Sequence, residues 1–253
     1  MIIIKSPREI ALMREAGHLL SDVFDAIGPM CVPGVSTQEI NDKAEEVMKK
    51  GGGESAEKGY YGYPGAICTS VNEVLLHGIP SSKRILKDGD IISLDIVVRK
   101  NGYCADACRT YLVGICPNHL VELLKVTEES FWNAVKLVKP GIHLGDISHA
   151  IETTTKAHGY SVPFEYTGHG IGKEMHEDPY IPDYGEKGTG PVLAEGMTLA
   201  IEPMVMEGKP KLRTLGDGWT TVTKDGKYSA HYENTIVVTK DGYEILTMRE
   251  ERR

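Results

Sequence analysis

The chain has 253 residues, 28 Lys and Arg against 36 Asp and Glu for a formal charge of −8, and is 41% hydrophobic and 25% charged, the proportions of one soluble globular domain or two small fused ones. The acidic balance offers no broad electrostatic footprint for nucleic acid or an anionic membrane surface, and no uncharged apolar run approaches the roughly 18 residues of a membrane span. The apolar start Met1 to Ile4 is cut off by Lys5 and Arg8 before a signal-peptide core can form, so the expected location is cytoplasmic.

Ser6-Pro7-Arg8-Glu9 reads as an N-cap, a proline at the first helical position and a capping-box glutamate. The apolar positions Ile10, Met13, Leu20, Val23 and Ile27 then predict an amphipathic helix. Ser36-Thr37-Gln38-Glu39 opens a second capping box, and Ile40, Ala44 and Val47 carry a helix to the stop at Gly51-Gly52-Gly53. Asp90 to Val98 and Tyr103 to Val113 read as a hairpin turned at Asn101-Gly102, which pairs Asp95 with Cys108 and Val97 with Asp106. A third helix is expected over about His119 to Val138, ending at Pro140-Gly141, and a fourth runs through Ile147 and Ile151 to Gly159. Leu199 to Val205 reads as one apolar strand, Thr235 to Thr239 as another, and Pro182 to Pro191 as a long loop. Cys31, Cys68, Cys104, Cys108 and Cys116 are an odd set without a second Cys/His pair at finger spacing, so free thiols are expected, not disulfides or structural zinc.

A constant offset of 107 aligns the two halves: Pro33 with Pro140, Gly34 with Gly141, Ile40 with Ile147, Gly52 with Gly159, Gly89 with Gly196 and Asp95 with Glu202. One register over so many positions predicts a duplicated α/β half, with boundaries near 1–115 and 116–253, forming a single catalytic domain. The two carboxylates would then meet at a pseudo-dyad.

Asp95 and Asp106 fall on one sheet face as diagonal neighbours, where two like charges repel unless a cation lies between them. Taken alone, the pair fits a solvated sheet face better than a metal site. His169 sits among glycines in Gly168-His169-Gly170-Ile171-Gly172, glycines that would let backbone approach a ligand closely; Glu202 interrupts an apolar strand and Glu233 precedes one. Four carboxylates and one imidazole make a hard donor set suited to Mn²⁺, Fe²⁺ or Co²⁺. Four negative charges match two divalent ions, an arrangement that activates water for hydrolysis.

Asn72-Glu73-Val74-Leu75-Leu76-His77-Gly78-Ile79-Pro80, Ser93-Leu94-Asp95 with Ala105-Asp106, Gly168 to Gly172 with His176-Glu177-Asp178-Pro179, Ala200-Ile201-Glu202-Pro203 and Tyr232-Glu233-Asn234-Thr235 together resemble the type I methionine aminopeptidases. The resemblance covers nearly the whole chain in order. It implies an α+β pita-bread fold, two pseudo-symmetric halves with antiparallel sheet enclosing the site and helices outside. It further implies metal ligation by Asp95, Asp106, His169, Glu202 and Glu233, with Asp106 and Glu233 bridging two ions. A metal-bridging hydroxide would attack the scissile carbonyl, with Glu202 as proton acceptor, His176 at the oxyanion and His77 near the scissile nitrogen. Tyr60, Tyr63, Cys68, His77 and Trp219 resemble the methionine pocket, whereas Glu57 and Met175 depart from the residues common there.

The expected partners are N-terminal Met peptides and nascent chains with a small second residue, with transient ribosome proximity, no stable nucleic-acid binding and no membrane. Zn²⁺ also fits the donor set, and a monomer is expected. A proline-peptide hydrolase is the alternative enzyme, but those relatives carry a large N-terminal domain, and Ser6 already opens the first helix of the repeat. The separation of 26 in residue number from His176 to Glu202 leaves no room for the helical insertion of the type II enzymes. A binding module of the same fold would lack one or more ligands. His18, His119, His143, His149 and His158 read as solvated, and His231 has no assigned role.

Overall fold

Ser6 caps the first helix, α1 (Pro7–Ile27), of a computed structural model that describes residues 1–249. Its hydroxyl accepts the Glu9 N–H at 3.4 Å while Glu9 accepts the Ser6 N–H at 2.8 Å, the reciprocal capping box. The second box opens α2 (Thr37–Lys50) in the same way, and Gly51 closes it. Short strands β1 (Glu54–Ser55), β2 (Cys68–Val71) and β3 (Val74–Leu76) lead to the long hairpin β4 (Ile91–Lys100) and β5 (Tyr103–Leu112). Asn101 and Gly102 both take positive φ, 52° and 80°, the conformation a two-residue turn needs to match strand twist. The register pairs Asp95 with Cys108 and Val97 with Asp106, as expected.

The second half repeats the plan with α3 (Asn118–Val135) and α4 (Leu144–Ala157), followed by β6 (Thr167–Gly170), β7 (Glu177–Pro182) and β8 (Thr198–Ile201). After them come β9 (Met204–Met206), β10 (Leu212–Thr214), β11 (Thr221–Thr223), β12 (Ser229–His231), β13 (Asn234–Val238) and β14 (Tyr243–Ile245). Two expectations shift. Helix α3 stops three residues early because Leu137 and Val138 bond to Ala134 and Val135, a tighter i→i+3 turn. The single apolar strand expected over Leu199 to Val205 is two, since Pro203 has no N–H for the ladder; β8 pairs with β6 and β13, while β9 changes partner to β12.

All sheet pairing is antiparallel. One sheet runs β1-β4-β2 with β5 on β4; another runs β14-β13-β8-β6-β7. Backbone details recur 107 positions apart. Gly34 donates to Leu86 O at 2.9 Å and Gly141 to Leu193 O at 2.9 Å; isolated bridges join Ser36 to Ile85 and His143 to Val192. Gly34 and Gly141 have φ of 96° and 92°, and Gly89 and Gly196 have 87° and 85°. Each helix pair covers one face of its sheet. Leu20, Val23, Ile40 and Met48 pack on Ile92, Leu94, Ile96 and Val98; Phe131, Val135, Ile147 and Ile151 pack on Leu199, Ile201 and Ile236. The helices therefore cover one face of each sheet and leave the other face for the site.

Helix α1 also closes on the turn after β14. A Cβ at Gly17 would lie 2.0 Å from Leu246 O, a backbone atom with little freedom to move. Gly17→Ala is expected to lower stability by about 1 to 3 kcal/mol from overpacking, even though alanine is the better helix former by about 1 kcal/mol. A urea midpoint equal to or above the parent's refutes this.

Candidate metal centre and active site

Alternation along β4 sends Ile92, Leu94, Ile96 and Val98 to the helices, so Asp95 faces the other way. The hairpin register puts Asp106 on the same face. Thr235 of β13 fixes the Asp106 backbone from the other half, accepting its N–H at 2.9 Å and donating to its carbonyl at 2.8 Å. Glu233 is held in the same way: its N–H donates to Cys108 O at 3.0 Å, and the Arg109 guanidinium donates to its carbonyl. Arg109 also donates to Asn234 Oδ1 at 2.6 Å and stacks 4.5 Å from the Tyr232 ring centre, which ties β5 to β13 beneath the site.

The glycines around His169 answer a different need from the one expected. A Cβ at Gly168 would meet Ala200 O at 2.5 Å, and one at Gly170 would meet Asp178 O at 2.0 Å. They admit neighbouring strand backbone, not a ligand. His169 Nδ1 lies 2.9 Å from Gly170 O. A carbonyl only accepts, so Nδ1 carries the proton and Nε2 presents its lone pair. That lone pair faces Glu202 Oε1 at 3.4 Å and Asp106 Oδ2 at 3.6 Å.

Asp95, Asp106, His169, Glu202 and Glu233 all line one cavity of about 420 Å³, together with His77, His176, Tyr60, Tyr63, Cys68 and Trp219. Every expected site residue is there. Asp106 is 4% exposed, and half-buried Asp95 keeps its Oδ1 out of solvent, which removes the solvated-face alternative. Burial, with mutual repulsion added, pushes Asp95, Glu202 and Glu233 well above the usual carboxylate range, and burial lifts Asp106 to about 8. Burial likewise lowers His77, His169 and His176 to about 4, so all three imidazoles are neutral near pH 7.

His176 Nδ1 lies 3.2 Å from the Tyr60 hydroxyl, and its ring sits 4.4 Å from that of His169. His77 takes φ 57°, uncommon for a side chain of its size, and its ring lies 6.0 Å from Trp219 and 5.8 Å from Tyr166. Tyr63 and Cys68 are each 3% exposed, and Tyr63 packs edge-on to Trp219 at 5.1 Å. Glu57 closes this end: it accepts the Cys68 S–H at 3.0 Å and the Val97 N–H at 3.4 Å. Burial and the neighbouring Asp95 raise its pKa strongly, and it stands where the resemblance leads one to expect a smaller residue.

Sequence reasoning missed His231, Tyr166 and Tyr180 as cavity residues. For His231 a signal existed: it stands two positions before Glu233, the spacing that puts alternate residues on one face.

The donor set fits divalent metal. Asp95 Oδ1, Asp106 Oδ1, Glu202 Oε1 and Glu233 Oε1 are buried with no hydrogen-bond partner among the described residues. Ionised carboxylates only accept, so a crowd of them indoors without donors keeps its charge only with cations among them. Antiparallel halves enclosing such a cage define a metal-dependent hydrolase of the pita-bread fold. Residues 11–240 match metallopeptidase family M24. The chain is 50% identical to methionine aminopeptidase 1 of Bacillus subtilis, covering 98% of this chain and 99% of that one, and 45% identical to the Escherichia coli methionine aminopeptidase, covering 99% and 95%. Its structure superposes on the Thermotoga maritima methionine aminopeptidase with a TM-score of 0.97 at 46% identity, over 98% of this chain and 100% of that one. A prolidase from Pyrococcus furiosus is more distant, with a TM-score of 0.80 at 26% identity, over 98% of this chain and 66% of that one. The chain belongs to the bacterial type I methionine aminopeptidases of family M24.

Metal loading is expected to stabilise the chain measurably. At 100 times the dissociation constant a bound ion adds about 2.7 kcal/mol, a rise of roughly 5 to 10 °C in Tm for a chain of this size. Calorimetry of the chelator-stripped protein with and without Mn²⁺ or Co²⁺ checks this. Asp106→Asn is expected to abolish the rise; an equal rise in that variant contradicts a ligand role for Asp106.

Proposed function

We propose that this enzyme removes the N-terminal methionine from nascent or newly made polypeptides, preferring a small second residue. The observation that carries the reading is the cluster of partnerless buried carboxylate oxygens on the wall of a cavity that also holds a recess lined by Tyr63, Cys68 and Trp219. Asp95, Asp106, His169, Glu202 and Glu233 would hold two divalent ions. Divalent ions there supply Lewis acidity, which activates water and polarises a carbonyl. Mn²⁺, Fe²⁺, Co²⁺ and Zn²⁺ all suit the oxygen and nitrogen donors.

The chain's own residues do the rest. Tyr63, Cys68, His77 and Trp219, with Tyr60 nearer the mouth, hold the methionine side chain, whose polarizable thioether suits aromatic and thiol neighbours. The substrate's free α-amine lies toward Asp95, which restricts cleavage to the first residue. Glu202 accepts the proton of the attacking water. His176, kept in orientation by Tyr60, donates to the developing oxyanion. His77 lies beside the scissile nitrogen and assists its departure.

Residues 1–253 act as one catalytic domain built from halves near 1–115 and 116–253. The enzyme works as a cytoplasmic monomer in transient proximity to the ribosome, binding neither nucleic acid stably nor membrane. No helix among the described residues is long and apolar enough to cross a membrane.

The discriminating experiment is incubation of the loaded enzyme with a Met-Ala-Ser peptide and with a peptide carrying proline second from the N-terminus of a non-methionine residue. Release of free methionine from the first alone is expected. Cleavage confined to the bond before proline supports a proline-peptide hydrolase instead.

A further inference from the structure

A sixth buried donor stands beside the five expected ligands. His231 ends β12, is 1% exposed, and neither of its ring nitrogens has a hydrogen-bond partner among the described residues. A neutral imidazole carries one N–H and one lone pair, and interior groups of this kind are rarely left unmet on both sides. Its Nε2 lies 3.6 Å from Glu202 Oε2 and 3.8 Å from Glu233 Oε2.

These separations are too long for hydrogen bonds. They match instead the 3.4 and 3.6 Å between His169 Nε2 and its own two carboxylates. Donors about 2.1 Å from one ion stand about 3 to 4 Å from each other. Glu202 is thus flanked at both oxygens, Oε1 by His169 and Oε2 by His231. Ligand atoms of Asp95, Cys108 and His231 also gather within 4.8 Å of one another, so the ring lies beside the Asp95 wall as well.

We propose that His231 is an additional nitrogen ligand of this metal centre, reaching it past the Glu202 oxygen that His169 does not face. It biases the centre toward ions that favour imidazole, Co²⁺, Fe²⁺ and Zn²⁺, over Mn²⁺. The inference rests on the metal-centre reading above and extends its donor set from five side chains to six.

The test compares the full chain with His231→Gln, in which an amide of similar reach replaces the ring. X-ray absorption of the cobalt-loaded proteins counts coordinated imidazoles, and equilibrium dialysis gives the affinity for Co²⁺, Zn²⁺ and Mn²⁺. Two imidazoles per chain are expected in the parent and one in the variant. Affinity for Co²⁺ and Zn²⁺ is expected to fall by about tenfold or more, and that for Mn²⁺ by less than about threefold. A single imidazole in the parent, or a Co²⁺ affinity that changes by less than about twofold, overturns the proposal. If metal-free His231→Gln melts far below the parent, His231→Asn takes its place in the same comparison. A parent chain that holds no cobalt overturns the metal centre and this ligand together, whereas cobalt held through one imidazole overturns this ligand alone.

Discussion

Glu202→Gln is expected to release methionine from a Met-Ala-Ser peptide about 10² to 10⁴-fold more slowly than the parent, the range for loss of a positioned general base. The substitution keeps the volume of the side chain and removes its charge. Glu202 is mostly buried, with Oε1 unpartnered, and stands between two imidazoles at 3.4 and 3.6 Å. The amide is a weaker metal donor and cannot take a proton from water, so two losses combine and must be separated. Metal content measured beside rate does this: a variant brought to full occupancy with excess ion and still slow has lost the base. Full occupancy with undiminished rate would remove the proton-acceptor role.

His176→Ala is expected to lower kcat by about 10² to 10³-fold, the cost of one oxyanion donor, about 2.7 to 4 kcal/mol. Burial keeps this imidazole neutral near pH 7, with its pKa lowered to about 4. Its Nδ1 is engaged by the Tyr60 hydroxyl at 3.2 Å, which leaves Nε2 for the substrate. An interaction made only in the transition state lowers kcat and kcat/KM equally, whereas uniform binding raises KM alone. A KM that rises tenfold with kcat intact would therefore recast His176 as a plain substrate-binding group. Tyr60→Phe is the companion control, since it frees the ring without deleting it and is expected to cost less.

How much of this was legible before folding depends on the range of each interaction. The two capping boxes, the Asn101-Gly102 turn and the Asp95–Cys108 register are local, governed by residues within a few positions, and all three hold. The 107-residue offset was legible too, because each half carries its own turn glycines and helix starts. Pro203 shows the limit: the apolar run around it reads as one strand, yet the ladder changes partners there. The early end of α3 is another case, since a tight last turn and a regular one share the same apolar spacing.

His231 marks the boundary most clearly. Alternation with Glu233 was written in the chain, but a lone histidine carries no mark of whether its ring meets water or a carboxylate. Only the packing of β12 on β9, and of β13 on β8, brings it to Glu202. Composition, turn chemistry and the spacing of motifs were enough to indicate a duplicated hydrolase and its five acidic or imidazole donors, because those signals are short-range or repeat along the chain. Which oxygens go without partners, that Glu57 seals the recess, and that a sixth donor stands at the cage were decided by the fold. Burial and charge crowding are sums over residues far apart in sequence, and they have no value until the two halves close on each other.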